Sequence, residues 1–142
     1  MNVIVTGASS GVGFSLVKKL IQDDRVKKVI GIARRKTKLE ELAGFAASLG
    51  KGWKFISIAE DVCEVSFDMI VDHLDRVDVL VNNAGLLINK PFIELSGEDF
   101  EQVYRVNVFG PARLIRQLKP IMGGEELSHI VNIGSMGGFQ GA

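Results

Sequence analysis

Residues 3–13, Val3-Ile4-Val5-Thr6-Gly7-Ala8-Ser9-Ser10-Gly11-Val12-Gly13, decide the fold. An apolar run enters a turn holding three glycines within seven residues and leaves it as a helix. From Gly11 to Gln22, Val12, Leu16 and Leu20 share one helical face, with Val17 and Ile21 beside them. Strand, glycine-rich turn, then helix is the setting that a dinucleotide phosphate requires. Glycines permit a tight turn and close backbone approach, and the helix start offers unpaired N–H groups at the positive end of its dipole. Gly13 also allows the helix to lie close to the sheet. No Lys-Ser/Thr pair follows the glycines, which excludes a nucleoside-triphosphate loop.

The same alternation continues outward. Val29–Ala33 reads as a second strand, and Leu39, Leu42, Ala46 and Leu49 mark a second helix stopped by Gly50. Lys54–Ala59 is a third strand; Phe67, Ile70, Val71 and Leu74 give a short helix. Val77–Val81 is a fourth strand, apolar but for Asp78, as expected when both faces are covered. A long helix opens at the capping-box pattern Ser96-x-x-Asp99, with Phe100, Val103, Asn107, Leu114 and Leu118 as its inward stripe. His129–Ile133 is a fifth strand. Repeated βα units predict an α/β fold with a doubly wound parallel sheet, as one domain over residues 1–142.

The bulk numbers narrow the function classes. The 17 basic and 17 acidic residues balance, so no global field draws nucleic acid or an anionic membrane. No apolar run approaches the roughly 20 residues that cross a bilayer. The first strand starts at Asn2, leaving no room for a signal peptide. The single cysteine, Cys63, has no metal-type spacing around it, and His73 and His129 stand alone. A cytoplasmic location is expected. Trp53 and Cys63, flanking the third strand, are expected to pack.

Five segments carry a specific resemblance. Thr6-Gly7-Ala8-Ser9-Ser10-Gly11-Val12-Gly13, Asp61-Val62, Asn82-Asn83-Ala84-Gly85, Val106-Asn107-Val108-x-Gly110 and Ile130-Val131-Asn132-Ile133-Gly134-Ser135 occur in the order of the short-chain dehydrogenase/reductase family. The resemblance implies a Rossmann-type NAD(P)-binding domain with sheet order 3-2-1-4-5, lacking strands 6 and 7 of the family's 3-2-1-4-5-6-7. It implies a cofactor held by Gly7, Ser9, Ser10, Gly11, Val12 and Gly13, by Asp61 and Val62 beside the adenine, and by Asn83, Ala84 and Gly85. NAD-binding relatives place an acid at the end of the second strand to hold the ribose diol. Here that place is Ala33, followed by Arg34 and Arg35. A guanidinium grips a 2′-phosphate where a carboxylate would repel it, so NADP(H) is favoured over NAD(H), with Arg34 the first contact and Arg35 the second. Ser10 stands where some NADP-binding relatives carry a further basic residue.

Two catalytic positions are implied. Ser135, past the fifth strand, matches the serine that donates to the substrate oxygen. Asn107 is a polar residue in an apolar stripe, so it needs buried partners. Pro111, four residues on, has no N–H for its main-chain carbonyl and should kink the helix there. Relatives use the carbonyl of the matching Asn to hold a water in a proton relay that ends at a Lys. The family's Tyr-x-x-x-Lys acid/base segment is missing: Tyr104, the single tyrosine, has no Lys at that spacing and takes no catalytic role.

The expected activity is NADP(H)-dependent hydride exchange with a small-molecule carbonyl or alcohol. No nucleic-acid or membrane partner is expected, and a homo-oligomer is expected at full length. The alternative is a non-catalytic dinucleotide sensor or scaffold of the same fold. A sheet stopping at the fifth strand would expose an apolar edge with no Pro in it, which natural domains avoid. The 142 residues are therefore expected to be the cofactor-binding portion of a longer enzyme, inactive alone.

Overall fold

The computed structural model describes residues 1–124, 126–135 and 137. The expected domain limits of 1–142 thus run past them, at 136 and 138–142, which lie outside the described residues.

Five parallel strands form one sheet in the order β3-β2-β1-β4-β5: β1 (Asn2–Thr6), β2 (Lys28–Ile32), β3 (Phe55–Ile58), β4 (Val79–Asn82) and β5 (His129–Asn132). The pleat sends alternate residues to opposite faces, so each strand feeds two cores. Val3 and Val5 join Val17, Ile21, Leu39, Leu42 and Ala46 of α1 (Gly11–Gln22) and α2 (Lys36–Ser48). Ile4, Ile30, Ile32 and Leu80 point the other way, toward Ile70 of α3 (Asp68–Val71) and Leu114 and Leu118 of α5 (Gly110–Leu118). Apolar cover on both faces is why Val79–Val81 of β4 reads as an apolar run.

The opposite ends of the strands are fastened differently. At the N-terminal ends, Asp78 receives Arg76 Nε at 2.7 Å and the main-chain N–H of Asn2 at 2.6 Å, while Asn2 Nδ2 donates to the Arg76 carbonyl. Burial alone would raise the Asp78 carboxyl; the hydrogen bonds from Arg76 and Asn2 outweigh it and hold the group below its ordinary value. At the C-terminal ends, the Asn82 amide donates to Asn132 Oδ1 at 2.9 Å and ties β4 to β5.

Three expectations are corrected. The buried stripe of α1 is Gly13, Val17 and Ile21; Val12 is 62% exposed because the helix start opens onto a groove. Trp53 does not pack: it is 67% exposed while the adjacent Lys54 is buried. A short 3₁₀ turn, Gly52–Lys54, turns Lys54 inward, where its ammonium donates to the Asp23 carbonyl at 2.6 Å past the end of α1. The long helix is not one continuous stripe. It comprises α4 (Gly97–Tyr104), a π-helical turn at Arg105–Phe109, and α5. The capping box at Ser96 and Asp99 is formed, yet α4 buries no residue and Phe100 is 42% exposed. Pro111 removes one N–H from the ladder, and the extra residue of the π turn shifts α4 out of phase with α5.

No described residue covers the outer side of β5, so Ile130, Val131 and Ile133 are 40–45% exposed. Among the described residues no helix is long and apolar enough to cross a membrane.

Candidate functional site

A groove of about 640 Å³ opens at the C-terminal ends of the strands, where doubly wound sheets bind ligands. It gathers Gly7, Ser9, Ser10 and Val12 from the first turn, Arg34 and Arg35 after β2, Asp61 and Val62 after β3, and Asn83, Ala84 and Gly85 after β4. Gly11 and Gly13 of the expected set do not line it; nor do Asn107 and Ser135. Glu60, which the sequence reading missed, lines it, as do Leu86 and Val106.

The first turn is shaped by close approach. Gly7 has φ +66°, and a Cβ there would sit 2.8 Å from the Ala84 Cα. A Cβ on Gly13 would meet both Asn83 Nδ2 and the Gly7 carbonyl at 2.4 Å, so α1 packs as tightly as a bare backbone allows. The N-cap residue of α1, Ser10, makes no side-chain cap, and the first turn holds no acidic residue. Its first N–H groups therefore have no side-chain partner, the arrangement that suits an anion.

The strand ends beneath are held by Thr6, a role the sequence reading did not assign. Its buried hydroxyl accepts the main-chain N–H groups of Asn83 and Ala84, both at 3.0 Å, and donates to the Val81 carbonyl at 3.4 Å. Asn83 returns the contact: its amide donates to the carbonyls of Thr6 at 3.1 Å and Gly7 at 3.3 Å. The partners lie over 70 residues apart, so no local pattern could reveal them.

Charge is divided across the groove. Ala33 is buried at the end of β2, and Arg34 and Arg35 follow it, both exposed. Arg35 donates from Nε to Ser9 Oγ at 3.2 Å and from Nη2 to the Ser9 carbonyl at 3.0 Å. Arg34 makes no side-chain hydrogen bond among the described residues. Opposite, one Asp61 oxygen accepts the Cys63 N–H at 2.9 Å. That bond, with weaker help from Arg105 and Arg34, holds the Asp61 carboxyl below its ordinary value despite burial. Asp61 thus caps a turn and lines the groove at once.

Asn107 is exposed rather than buried, because nothing among the described residues covers that side of the π turn. Its partners exist all the same. Oδ1 accepts the Leu86 N–H at 2.8 Å and Nδ2 donates to the Leu86 carbonyl at 2.9 Å. This two-way clamp holds the segment that follows Gly85. Ser135 is exposed, and its hydroxyl accepts the Gly137 N–H at 3.2 Å. Tyr104 packs against Phe109, ring centroids 6.4 Å apart, and lines no part of the groove. No group of three or more His, Cys, Asp or Glu able to hold a metal occurs among the described residues.

A family model described as short chain dehydrogenase matches residues 1–142. An NADPH-dependent pterin aldehyde reductase of Arabidopsis thaliana is 34% identical over 146 aligned residues, covering 99% of this chain and 58% of that protein. A closed form of serine dehydrogenase complexed with NADP+ superposes with a TM-score of 0.83 at 32% identity, covering 98% of this chain and 56% of that one. A 3-oxoacyl-(acyl-carrier protein) reductase with bound NAD from Brucella melitensis superposes equally well, at 0.83 and 27% identity, covering 99% and 55%. The chain spans about half the length of the curated relatives it matches.

Proposed function

The chain belongs to the short-chain dehydrogenase family, and from that premise we propose that it is the cofactor-binding portion of an NADP(H)-dependent oxidoreductase acting on a small-molecule carbonyl or alcohol. The observation that carries the choice of cofactor is Arg34 on the groove wall, beside Arg35, with Ala33 in place of an acid at the end of β2. A carboxylate there would hold a ribose diol; guanidinium groups hold a phosphate.

The cradle fits a dinucleotide. The uncapped start of α1 and the side-chain-free backbone at Gly7 and Gly13 leave room and N–H donors for a pyrophosphate. Arg34, which has no side-chain hydrogen bond among the described residues, would take the 2′-phosphate, and the second oxygen of Asp61 would accept from an adenine amine. A nicotinamide, when bound, exchanges a hydride with the substrate carbon. Asn83, Ala84 and Gly85 would line its site, held by Thr6 and, through Leu86, by Asn107. Ser135 donates its hydroxyl to the substrate oxygen, where negative charge develops. Asn107 keeps its side chain on Leu86 and offers a carbonyl that Pro111 cannot satisfy, a place for an ordered water in a proton path. Residues 1–142 hold no Tyr-x-x-x-Lys segment that would supply a phenol and an ammonium to that path.

The test is binding of NADPH and NADH to the intact protein, with Arg34→Ala as the comparison. NADPH should bind more tightly, and the variant should lose most of that preference. Tighter binding of NADH would overturn the choice of cofactor.

A further inference from the structure

The phosphate turn and the start of α2 belong to different βα units, and one side chain bridges them. Arg35, the N-cap residue of α2, spends Nε and Nη2 on the hydroxyl and the carbonyl of Ser9. Its own carbonyl meanwhile accepts the N–H groups of Lys38 at 3.2 Å and Leu39 at 3.4 Å, so the residue is held at both ends. An arginine that grips a phosphate presents its fork to two oxygens of that phosphate. Arg35 already presents two donors of its fork to the protein. Arg34, its neighbour on the same groove wall, has all five donors free of protein partners among the described residues.

We infer that the two arginines divide the work: Arg34 is the phosphate ligand and the residue that sets cofactor specificity. Arg35 is a positioning residue that ties Ser9, and with it the glycine-rich turn, to the start of α2. The turn receives the pyrophosphate, which NADPH and NADH share. Loosening it therefore weakens both cofactors alike, whereas removing Arg34 weakens one. This division rests on the cofactor reading above; the tether itself does not.

Arg34→Ala, Arg35→Ala and Arg35→Lys in the intact protein separate these roles through two measurements. The first is the Kd for NADPH and for NADH. Arg34→Ala should raise the NADPH value about tenfold or more and leave NADH within about twofold, the size expected for loss of a charge-assisted hydrogen bond. Arg35→Ala should raise both by a common factor of about five, leaving their ratio unchanged. Arg35→Lys keeps the charge and loses the fork, so it should behave as Arg35→Ala does. The second is amide hydrogen exchange over residues 9–12 without cofactor, which should quicken in both Arg35 variants and stay unchanged in Arg34→Ala. Selective loss of NADPH in Arg35→Ala would make Arg35 a phosphate ligand and overturn the inference, as would unchanged exchange. If the unaltered protein binds neither nucleotide, the cofactor reading fails and exchange alone decides the tether.

Discussion

Replacing Gly13 by Ala sets two effects of opposite sign against each other. Gly13 lies in the first turn of α1, and alanine in a helix is favoured over glycine by about 1 kcal/mol. The added Cβ would stand 2.4 Å from both the Gly7 carbonyl and Asn83 Nδ2, where contacts under 3.0 Å essentially never occur. One of those neighbours is backbone, so relief requires α1 to move off the turn. Overpacking of this kind costs about 1–3 kcal/mol. Displacing the Asn83 amide from the Thr6 and Gly7 carbonyls adds about 1 kcal/mol for each bond. The clash outweighs the propensity, and Gly13→Ala should lose about 2–4 kcal/mol. Gly44 is the control: it is exposed on α2, with nothing within 4 Å of an added Cβ, so Gly44→Ala should gain about 0.5–1 kcal/mol. Urea unfolding followed by far-UV circular dichroism reads both; the single tryptophan, 67% exposed, is a poor reporter of the core. A Gly13→Ala midpoint at or above the unaltered protein would refute the close-approach argument.

Thr6→Val keeps the shape of a buried side chain and strands the N–H groups of Asn83 and Ala84; a loss of about 2–3 kcal/mol in the same unfolding assay is expected. Asn107→Ala removes both partners of Leu86, and amide exchange at Leu86 should accelerate about tenfold while the β1 amides keep their rates. Asp78→Asn should lower stability at neutral pH. The Asp78 carboxyl is held below its ordinary value of 3.8, so its contribution is complete above that pH and is lost as pH falls through the lowered folded value. The stability gap between the two proteins should therefore close below about pH 4. A gap that stays constant into acid would mean that the Arg76–Asp78 pair contributes nothing.

The strands and the groove were legible because they depend on local signals, whereas the strand order came with the family resemblance. Apolar runs with both faces covered, glycines at a strand-to-helix turn and the box at Ser96 and Asp99 each announce themselves within a few residues. What escaped depends on distant partners or on phase. The Thr6 hydroxyl serves main-chain groups 77 and 78 residues away. Trp53 and Lys54 exchange places because a three-residue turn, Gly52–Lys54, and a carbonyl at Asp23 decide which side chain goes in. The stripe through Phe100, Val103, Asn107, Leu114 and Leu118 assumed a constant 3.6-residue period. Its last two members are buried; Phe100 and Asn107 are exposed. Asn107 was found by its oddity as a polar residue in that stripe, though its clamp on Leu86 was not foreseen.

The π turn at Arg105–Phe109 behaves as a one-residue splice in an otherwise regular rod. Everything before the splice is rotated about the helix axis relative to everything after it. The chain can thus aim α5 at the sheet and α4 elsewhere without spending a loop on the change of direction. Rewound as a regular α-helix over the same residues, the rod would swing Phe100 and Val103 toward the line of Leu114 and Leu118 and carry Asn107 off Leu86, unmaking the clamp with every side chain still present.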